Sequence, residues 1–440
     1  MKDARQNAFE ILRSIQIDRA YSNISINAVI KKEQEDERES SLLSALVYTT
    51  LEKIITIDYN LSLYLKDPIS KLRPEILTVL RLGVCQLLFM DKIPVSAAVN
   101  ESVRIIKSTR YSFAAGLVNA VLRKVAVNGL KLPENTKVDA EYLSVKYSCP
   151  AWLVQLWINS YGQENAIGIL EFFQKKPRDF VRVNNTKITT DELALSLNGE
   201  GVASSVCEKL ENSLLIEIKG SVEKITSFQN GYFHFQDISS QMFCHLFAVK
   251  PTDTVFDLCA APGGKSFTLA EISGDSGKVF SFDMNENRLD LIKNGAKRLQ
   301  LSNVVGRQGD ASVFDENLGL ADIVLCDVPC SGFGVIHRKP EIRYKKAQDI
   351  DKLPDLQYFI LCNASRYVKQ NGVLAYSTCT LNPEENEDVC ERFLKENKNY
   401  VSMSVDSTLI NTLPGSKFTT ILPHLNDSDG FFFAIFKRMR

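Results

Sequence analysis

The stretch TVFDLCAAPGGKSF, residues 254–267, decides how the C-terminal part of the chain is read. Its first half is a short β-type apolar run ending on Asp257. Its second half is a turn of small residues around Pro262, Gly263 and Gly264, followed by a segment with no helix breaker. That is a strand, a tight turn and a helix start. A turn stripped of side chains lets backbone approach a ligand closely at a helix N-terminus. Working outward, the pattern repeats: KVFSFDM (278–284), VVGRQGD (304–310), DIVLCD (322–327) and GVLAYSTC (372–379) read as strands, with helical stretches between them, one near 355–369, and GFFFAIF (430–436) closes the chain. Alternating strands and helices predict a doubly wound parallel α/β sheet.

In such sheets ligands bind at the carboxyl ends of the strands. Four acids fall at successive ends: Asp257, Asp283, Asp310 and Asp327. Any one alone serves as a helix N-cap; four in succession mark a cleft. Asp283 lies where a carboxylate accepts hydrogen bonds from ribose hydroxyls, and Asp310 suits the adenine-proximal side. A Walker A loop needs glycine five residues before Gly264, where Cys259 stands, and the G-x-G-x-x-G fingerprint is absent. Both absences exclude the ATPase and dinucleotide readings.

Upstream, residues 1–130 read as helix throughout. Phe113, Leu117, Val121 and Val125 recur at four-residue steps, with Ala114, Val118 and Leu122 beside them, predicting an amphipathic helix with that stripe inward. ILTVLRLGVCQLLFM (76–90) is apolar almost all round and predicts a central buried helix; Pro68, Pro74 and Pro94 fit helix starts or connections. The acidic stretch 33–39 reads as an exposed loop or helix start. Residues 131–177 read as a linker and helix around Pro150, Trp152 and Trp157. Then the period changes: FVRVN (180–184), LLIEIKG (214–220) and YFHFQ (232–236) alternate, with a helix near 190–198, predicting a small α+β unit. The expected domains are therefore 1–130, 131–250 and 251–440.

The chain has 440 residues, is 45% hydrophobic and 24% charged, and carries a net charge of −1, which excludes disordered and fibrous classes. No apolar run approaches a membrane span and no signal peptide is read, so a cytoplasmic address is expected. The ten cysteines show no C-x-x-C pair and are expected as reduced thiols. Residues 1–130 hold 18 Lys/Arg against 14 Asp/Glu, and Arg104, Lys107, Arg110, Arg123 and Lys124 occur with no acid among them. A second cluster comprises His337, Arg338, Lys339, Arg343, Lys345 and Lys346. Such patches suit phosphates or form ordinary solvated faces.

Cys330, in DVPCSGFG (327–334), and Cys379, in YSTCT (376–380), follow neighbouring strands and are expected in one crevice. Taken alone, each reads more readily as a small buried apolar residue, as Cys85, Cys149, Cys207, Cys362 and Cys390 are read. A metal site needs more ligands, and no histidine is placed to help.

The arrangement resembles the class I S-adenosylmethionine-dependent methyltransferases, and DLCAAPGGK (257–265) resembles motif I of the RNA cytosine-5 methyltransferases. Carbon-5 of cytosine needs a thiolate added at carbon-6 before it accepts a methyl group. The family carries both a Pro-Cys and a Thr-Cys motif, as Pro329-Cys330 and Thr378-Cys379 do here, and the Thr-Cys cysteine attacks. The resemblance thus implies Cys379 as nucleophile, Cys330 assisting release of the product, Asp327 stabilising the protonated ring and Lys265 positioning the reacting groups. It implies S-adenosyl-L-methionine held by Cys259, Ala260, Ala261, Pro262, Gly263, Gly264, Lys265, Asp283, Asp310 and Asp327. What activates Cys379 is not read from the residues. PEENE (383–387), VRVN (181–184) and QDISSQ (236–241) also match the family. An adenine-N6 or guanine-N2 enzyme would carry (Asn/Asp)-Pro-Pro-aromatic where Asp327-Val-Pro-Cys330 stands. Val328 occupies a position where the family more often has Ala.

Residues 1–130, with GLVNAVLR (116–123) as the best local piece, resemble the NusB-like helical domain. That domain joined to this catalytic type is the layout of the bacterial Sun/Fmu-type ribosomal RNA cytosine-5 methyltransferases. The resemblance implies 16S ribosomal RNA as partner, contacted by Arg104, Lys107, Arg110, Arg182, Asn184 and Arg338, with no metal and a monomeric chain. The alternatives are a cytosine-5 enzyme of transfer RNA or DNA, and a noncatalytic RNA-binding assembly factor that keeps the shell.

Overall fold

The computed structural model describes residues 3–18, 26, 28–29, 37–134, 138–218, 220–274, 277–405, 408–413 and 415–439. Residues 33–36 of the acidic stretch lie outside them. The chain divides into two compact units, Met1–Lys175 with Ile336–Tyr344, and Lys176–Val335 with Lys345–Arg440.

The first unit is helical. Helix Pro74–Phe89 starts with proline in its first turn, where the missing N–H costs nothing, and buries every residue from Ile76 to Gln86 except Arg81. Arg81 instead grips Asp58 with two hydrogen bonds of 2.8 and 2.6 Å. A Cβ on Gly83 would lie 2.6 Å from Leu122, so this glycine permits the close crossing of helix Ala115–Asn128. That second helix buries Val118, Val121, Leu122 and Val125. The expected stripe is corrected at its start: Phe113 is 79% exposed and Leu117 41%. Phe113 lies in the 3₁₀ turn Ser112–Ala114, before the helix. Four-residue steps also advance about 40° per step, so a long run of them drifts off one face.

Helices Ala140–Tyr147 and Ala151–Phe172 cluster with this unit. Trp157 is fully buried against Phe173. The segment Ile336–Tyr344 belongs here too. His337 stacks on Phe173 at 5.2 Å, and Arg343, 1% exposed, donates to the carbonyls of Glu52 (3.0 Å) and Ser148 (2.9 Å). Two members of the expected phosphate cluster are thus interior residues. Arg338 is half-buried.

The second unit holds two sheets. The smaller, in the order β2-β3-β1-β4, is antiparallel and made of β1 (Asp179–Val183), β2 (Ala203–Val206), β3 (Ser213–Glu217) and β4 (Phe233–Phe235). The larger contains β5 (Thr254–Asp257), β6 (Lys278–Asp283), β7 (Val304–Gln308), β8 (Ala321–Asp327), β9 (Val368–Thr378), β10 (Tyr400–Ser402), β11 (Thr419–Ile421) and β12 (Phe431–Arg438), in the order β10-β12-β9-β8-β5-β6-β7 with β11 also on β12. Strands β5 to β9 are mutually parallel, as expected. The sheet is nonetheless mixed, because β12 runs antiparallel to β9. Its first residue, Phe431, therefore enters at the end where β9 leaves. β2, β10 and β11 went unread.

Arg182 and Asn184, expected to face RNA, are 2% and 0% exposed. Arg182 pairs with Glu271 (3.3 Å), on helix Gly264–Ser273, and touches His245. Asn184 donates to the carbonyls of Gly231 (3.0 Å) and Leu299 (2.8 Å). These side chains fasten the small sheet to the helices of the large one, which corrects the expectation. Burial raises the Glu271 carboxyl to about 7, with Arg182 opposing the rise. Removing one partner of a buried ion pair leaves the other uncompensated. Glu271→Ala is expected to lower stability by about 3–5 kcal/mol in urea unfolding. The double variant Arg182→Met/Glu271→Leu should recover most of that, and no recovery would show that the pair does more than balance charge.

Candidate active site

The turn after β5 is built for close approach. Gly263, the residue before helix Gly264–Ser273, has φ of 113°, and a Cβ there would lie 2.5 Å from the Phe267 ring. The preceding Ala261–Pro262 peptide is cis. Around the turn lies a cleft of about 160 Å³ lined by Asp237, Asp257, Cys259, Pro262, Lys265 and Asp327, among others. Ala260, Ala261 and Gly264 also line it.

Asp257 is 1% exposed. Its Oδ2 accepts from Ser266 Oγ at 2.7 Å, and Ser281 Oγ donates to Ser266 in turn. Its Oδ1 is buried without a partner, and burial raises its carboxyl to about 7. An orphaned carboxylate oxygen beside a side-chain-free turn fits a ligand that brings a cation. On the next strand end, Asp283 meets Arg288 (3.3 Å), which also donates to Ala261 O (2.6 Å) and so ties β6 to the turn. Asp310 is exposed, accepts from the backbone and hydroxyl of Ser312, and does not line the cleft.

Asp327, at the end of β8, is held from both sides. Lys265 Nζ donates to its Oδ2 at 2.6 Å, and Ser377 Oγ donates to its Oδ1 at 2.8 Å. Burial works to lower the Lys265 ammonium, but the Asp327 charge and hydrogen bond prevail, so the group stays charged. Lys265 also lies 5.2 Å from the ring centre of Phe431.

Three residues past Asp327 and two past Ser377 stand the cysteines, their sulfurs 3.3 Å apart and both half-buried. The pair is asymmetric. Accepting the Cys330 hydrogen bond lowers the Cys379 thiol, aided by Lys265 and opposed by burial and by Asp327. The Cys330 thiol is pushed well up by the same contact, by burial and by Glu385. The groups that lower the Cys379 thiol are thus Cys330 and Lys265. Cys85, Cys149 and Cys390 are buried, as expected of structural residues, while Cys207 and Cys362 are half-buried. Among the described residues no cluster of potential metal ligands occurs, and no helix is long and apolar enough to cross a membrane.

Ser377, Ser266, Gln357 and Glu385 went unread as site residues. Glu385 stood in a string noticed for its resemblance alone; nothing local shows which backbone its carboxylate reaches. Of the residues expected to face RNA, Lys107 and Arg110 are exposed. Arg110 lies over the Tyr111 ring, and half-exposed Arg104 is engaged by Asp3 and Glu101.

Residues 244–437 match the family described as 16S rRNA methyltransferase RsmB/F, residues 2–127 the NusB family, and residues 149–223 the RsmF/B-like ferredoxin-like domain. The chain is 34% identical over 441 residues to a probable ribosomal RNA small subunit methyltransferase B of Bacillus subtilis, covering 99% of this chain and 98% of that one. A protein of the same name from Synechocystis is 32% identical, with 100% of both chains covered. Among solved structures, that of PH0851 superposes with a TM-score of 0.83 at 26% identity, covering 100% of this chain and 99% of that one. With its helical NusB domain, ferredoxin-like middle domain and methyltransferase domain, this chain belongs to the ribosomal RNA small subunit methyltransferase B family.

Proposed function

We propose that the protein methylates carbon-5 of a cytosine in 16S ribosomal RNA, with S-adenosyl-L-methionine as methyl donor and Cys379 as nucleophile. The observation that carries this reading is the 3.3 Å approach of the Cys330 and Cys379 sulfurs beside the Lys265–Asp327 pair. The names of the relatives support a small-subunit ribosomal RNA substrate.

The cleft suits the donor. The Pro262–Gly264 turn gives its backbone room, Asp257 Oδ1 offers an acceptor to the ammonium group, and Asp283, at the next strand end, serves the nucleoside. When bound, S-adenosylmethionine supplies the electrophilic methyl group. The chain's own residues prepare the base. The Cys379 thiolate adds to carbon-6 of the ring while N3 takes up a proton from solvent and donates a hydrogen bond to Asp327. Lys265 and Ser377 hold that carboxylate still. Once carbon-5 is methylated, its proton and the one on N3 pass to solvent as the Cys379 thiolate leaves, which restores the ring, and Cys330 assists that release. The exposure of Lys107, Arg110, Arg123 and Lys124 supports a role for them in contacting RNA phosphates.

Cys379→Ala is expected to abolish methyl transfer while RNA binding is kept. Cys330→Ala should trap protein on RNA, because addition proceeds while elimination stalls. Denaturing gel electrophoresis after incubation with RNA and methyl donor reads this as a shifted band; a trapped species from Cys379→Ala instead would reverse the two roles.

The second test concerns Asp257. Its raised value means the folded protein without ligand holds a proton that the unfolded chain, near the ordinary 3.8, has lost. Stability from this group is therefore full below about pH 4 and is lost as pH rises to about 7. Binding an ammonium group needs the carboxylate, so donor affinity should rise between about pH 6 and pH 8. Asp257→Asn should bind S-adenosylmethionine about tenfold more weakly, a loss of roughly 1.4 kcal/mol, with a flat pH profile in titration calorimetry. Wild-type affinity in that variant would remove Asp257 from the donor site.

A further inference from the structure

Glu385 is fully buried, six residues beyond Cys379 in the turn Pro383–Glu385. Both its carboxylate oxygens are occupied, and by neutral donors: Oε2 by the backbone N–H of Ser331 (2.8 Å) and Gln357 Nε2 (2.9 Å), Oε1 by Asn382 Nδ2 (3.0 Å). Gln357 Nε2 donates also to Pro329 O at 2.9 Å. The backbone on either side of Cys330 is therefore tied, at Pro329 through Gln357 and at Ser331 directly, to one carboxylate on the segment that follows Cys379. Two further contacts close the arrangement. Ser331 and Thr380 hydroxyls meet at 2.6 Å, and Tyr376 OH donates to Glu385 O at 2.6 Å. An uncompensated buried carboxylate is costly to keep, and charge-assisted hydrogen bonds to backbone are the strong ones. A buried Gln or a purely apolar turn would satisfy packing alone.

We propose that Glu385 is a positioning residue that holds the Cys330 loop against the Cys379 segment, so setting the distance between the two sulfurs. It touches neither thiol. Gln357 is its second arm. The charge also bears on Cys330, because it helps keep that thiol protonated and thus able to donate to Cys379. The role in catalysis rests on the cytosine-5 reading above; the geometric claim does not.

The test uses Glu385→Gln in the full-length protein, with two readouts. The first is site-resolved alkylation of the thiols by iodoacetamide across pH, without RNA or methyl donor. Wild-type protein should show Cys379 reacting at lower pH than Cys330, and E385Q should bring the two profiles together. The second is methyl transfer to ribosomal RNA, where kcat should fall by about tenfold or more, as expected for misplaced reacting groups, with KM for RNA nearly unchanged. If E385Q does not fold, Gln357→Leu removes the second arm and should shift both readouts the same way, less strongly. Unaltered alkylation profiles in the folded variant, whatever its melting temperature, would overturn the proposal. A changed alkylation profile with no cytosine methylation even in wild type would leave the clamp standing and sink the catalytic reading.

Discussion

The register between β8 and β9 is the constraint from which the site follows. These strands run parallel with Cys326 opposite Tyr376 and Asp327 opposite Ser377. Paired strands lie about 4.8 Å apart, so two chains that leave the sheet at one height start within reach of each other. Three residues on from one and two from the other, the sulfurs meet at 3.3 Å. Slipping the register by one residue would send every side chain to the opposite face. Ser377 would turn from Asp327, and buried Cys326 would exchange its place in the core for the cleft. The thiol pair is thus a product of backbone pairing before it is a product of loop structure.

The antiparallel last strand completes the arrangement. Because β12 enters at the carboxyl ends of the parallel strands, Gly430 N donates to Gly334 O, and Gly334 N donates to Cys379 O, both at 2.9 Å. A Cβ on Gly334 would stand 2.1 Å from Gly430 O, so the two backbones touch where only glycine permits it. Asp327 sits at the rim of this packed end with about a third of its side chain exposed. Partial exposure keeps the Lys265 contact from being a large source of stability. Its value is positional. Each carboxylate oxygen has accepted one donor, from Lys265 and Ser377, and each retains a lone pair for a further donor.

Features with a local signal were legible in the sequence. The glycine turn, the strands β5 to β9 and the two cysteine motifs each announce themselves through residues a few positions apart. What failed to read correctly depends on distant partners. Arg182 and Asn184 look like a polar, alternating strand edge until Glu271, 89 residues away, and the carbonyl of Leu299 are brought against them. Arg343 looks like part of a basic surface run until the carbonyls of Glu52 and Ser148 enclose it. Phe113 failed for a different reason: its spacing suits the helix that follows, but the helix begins two residues later. A charged residue's burial is a property of the tertiary structure, and no period in the sequence encodes it.

Two sulfurs at contact distance are chemically similar, so their separate roles must come from what surrounds them. For the attack proposed above, two protonated thiols offer no nucleophile; with both ionised, two charges would face each other at 3.3 Å, and like charges that close disfavour a second ionisation. The working state is the one with a single proton between them, and the pair titrates as a unit. Where that proton rests is decided by the neighbours. Glu385 lies on the side of Cys330 and opposes its ionisation, while Lys265 lies on the side of Cys379 and favours it. Asp327 and Asp429 act against the Cys379 thiolate, which sets a limit on how far the thiol is lowered. That opposition is useful: a nucleophile lowered too far loses reactivity as it gains ionisation. In the reaction proposed above, the same asymmetry sets the order of events, with Cys379 attacking first and Cys330 still holding a proton when the adduct forms.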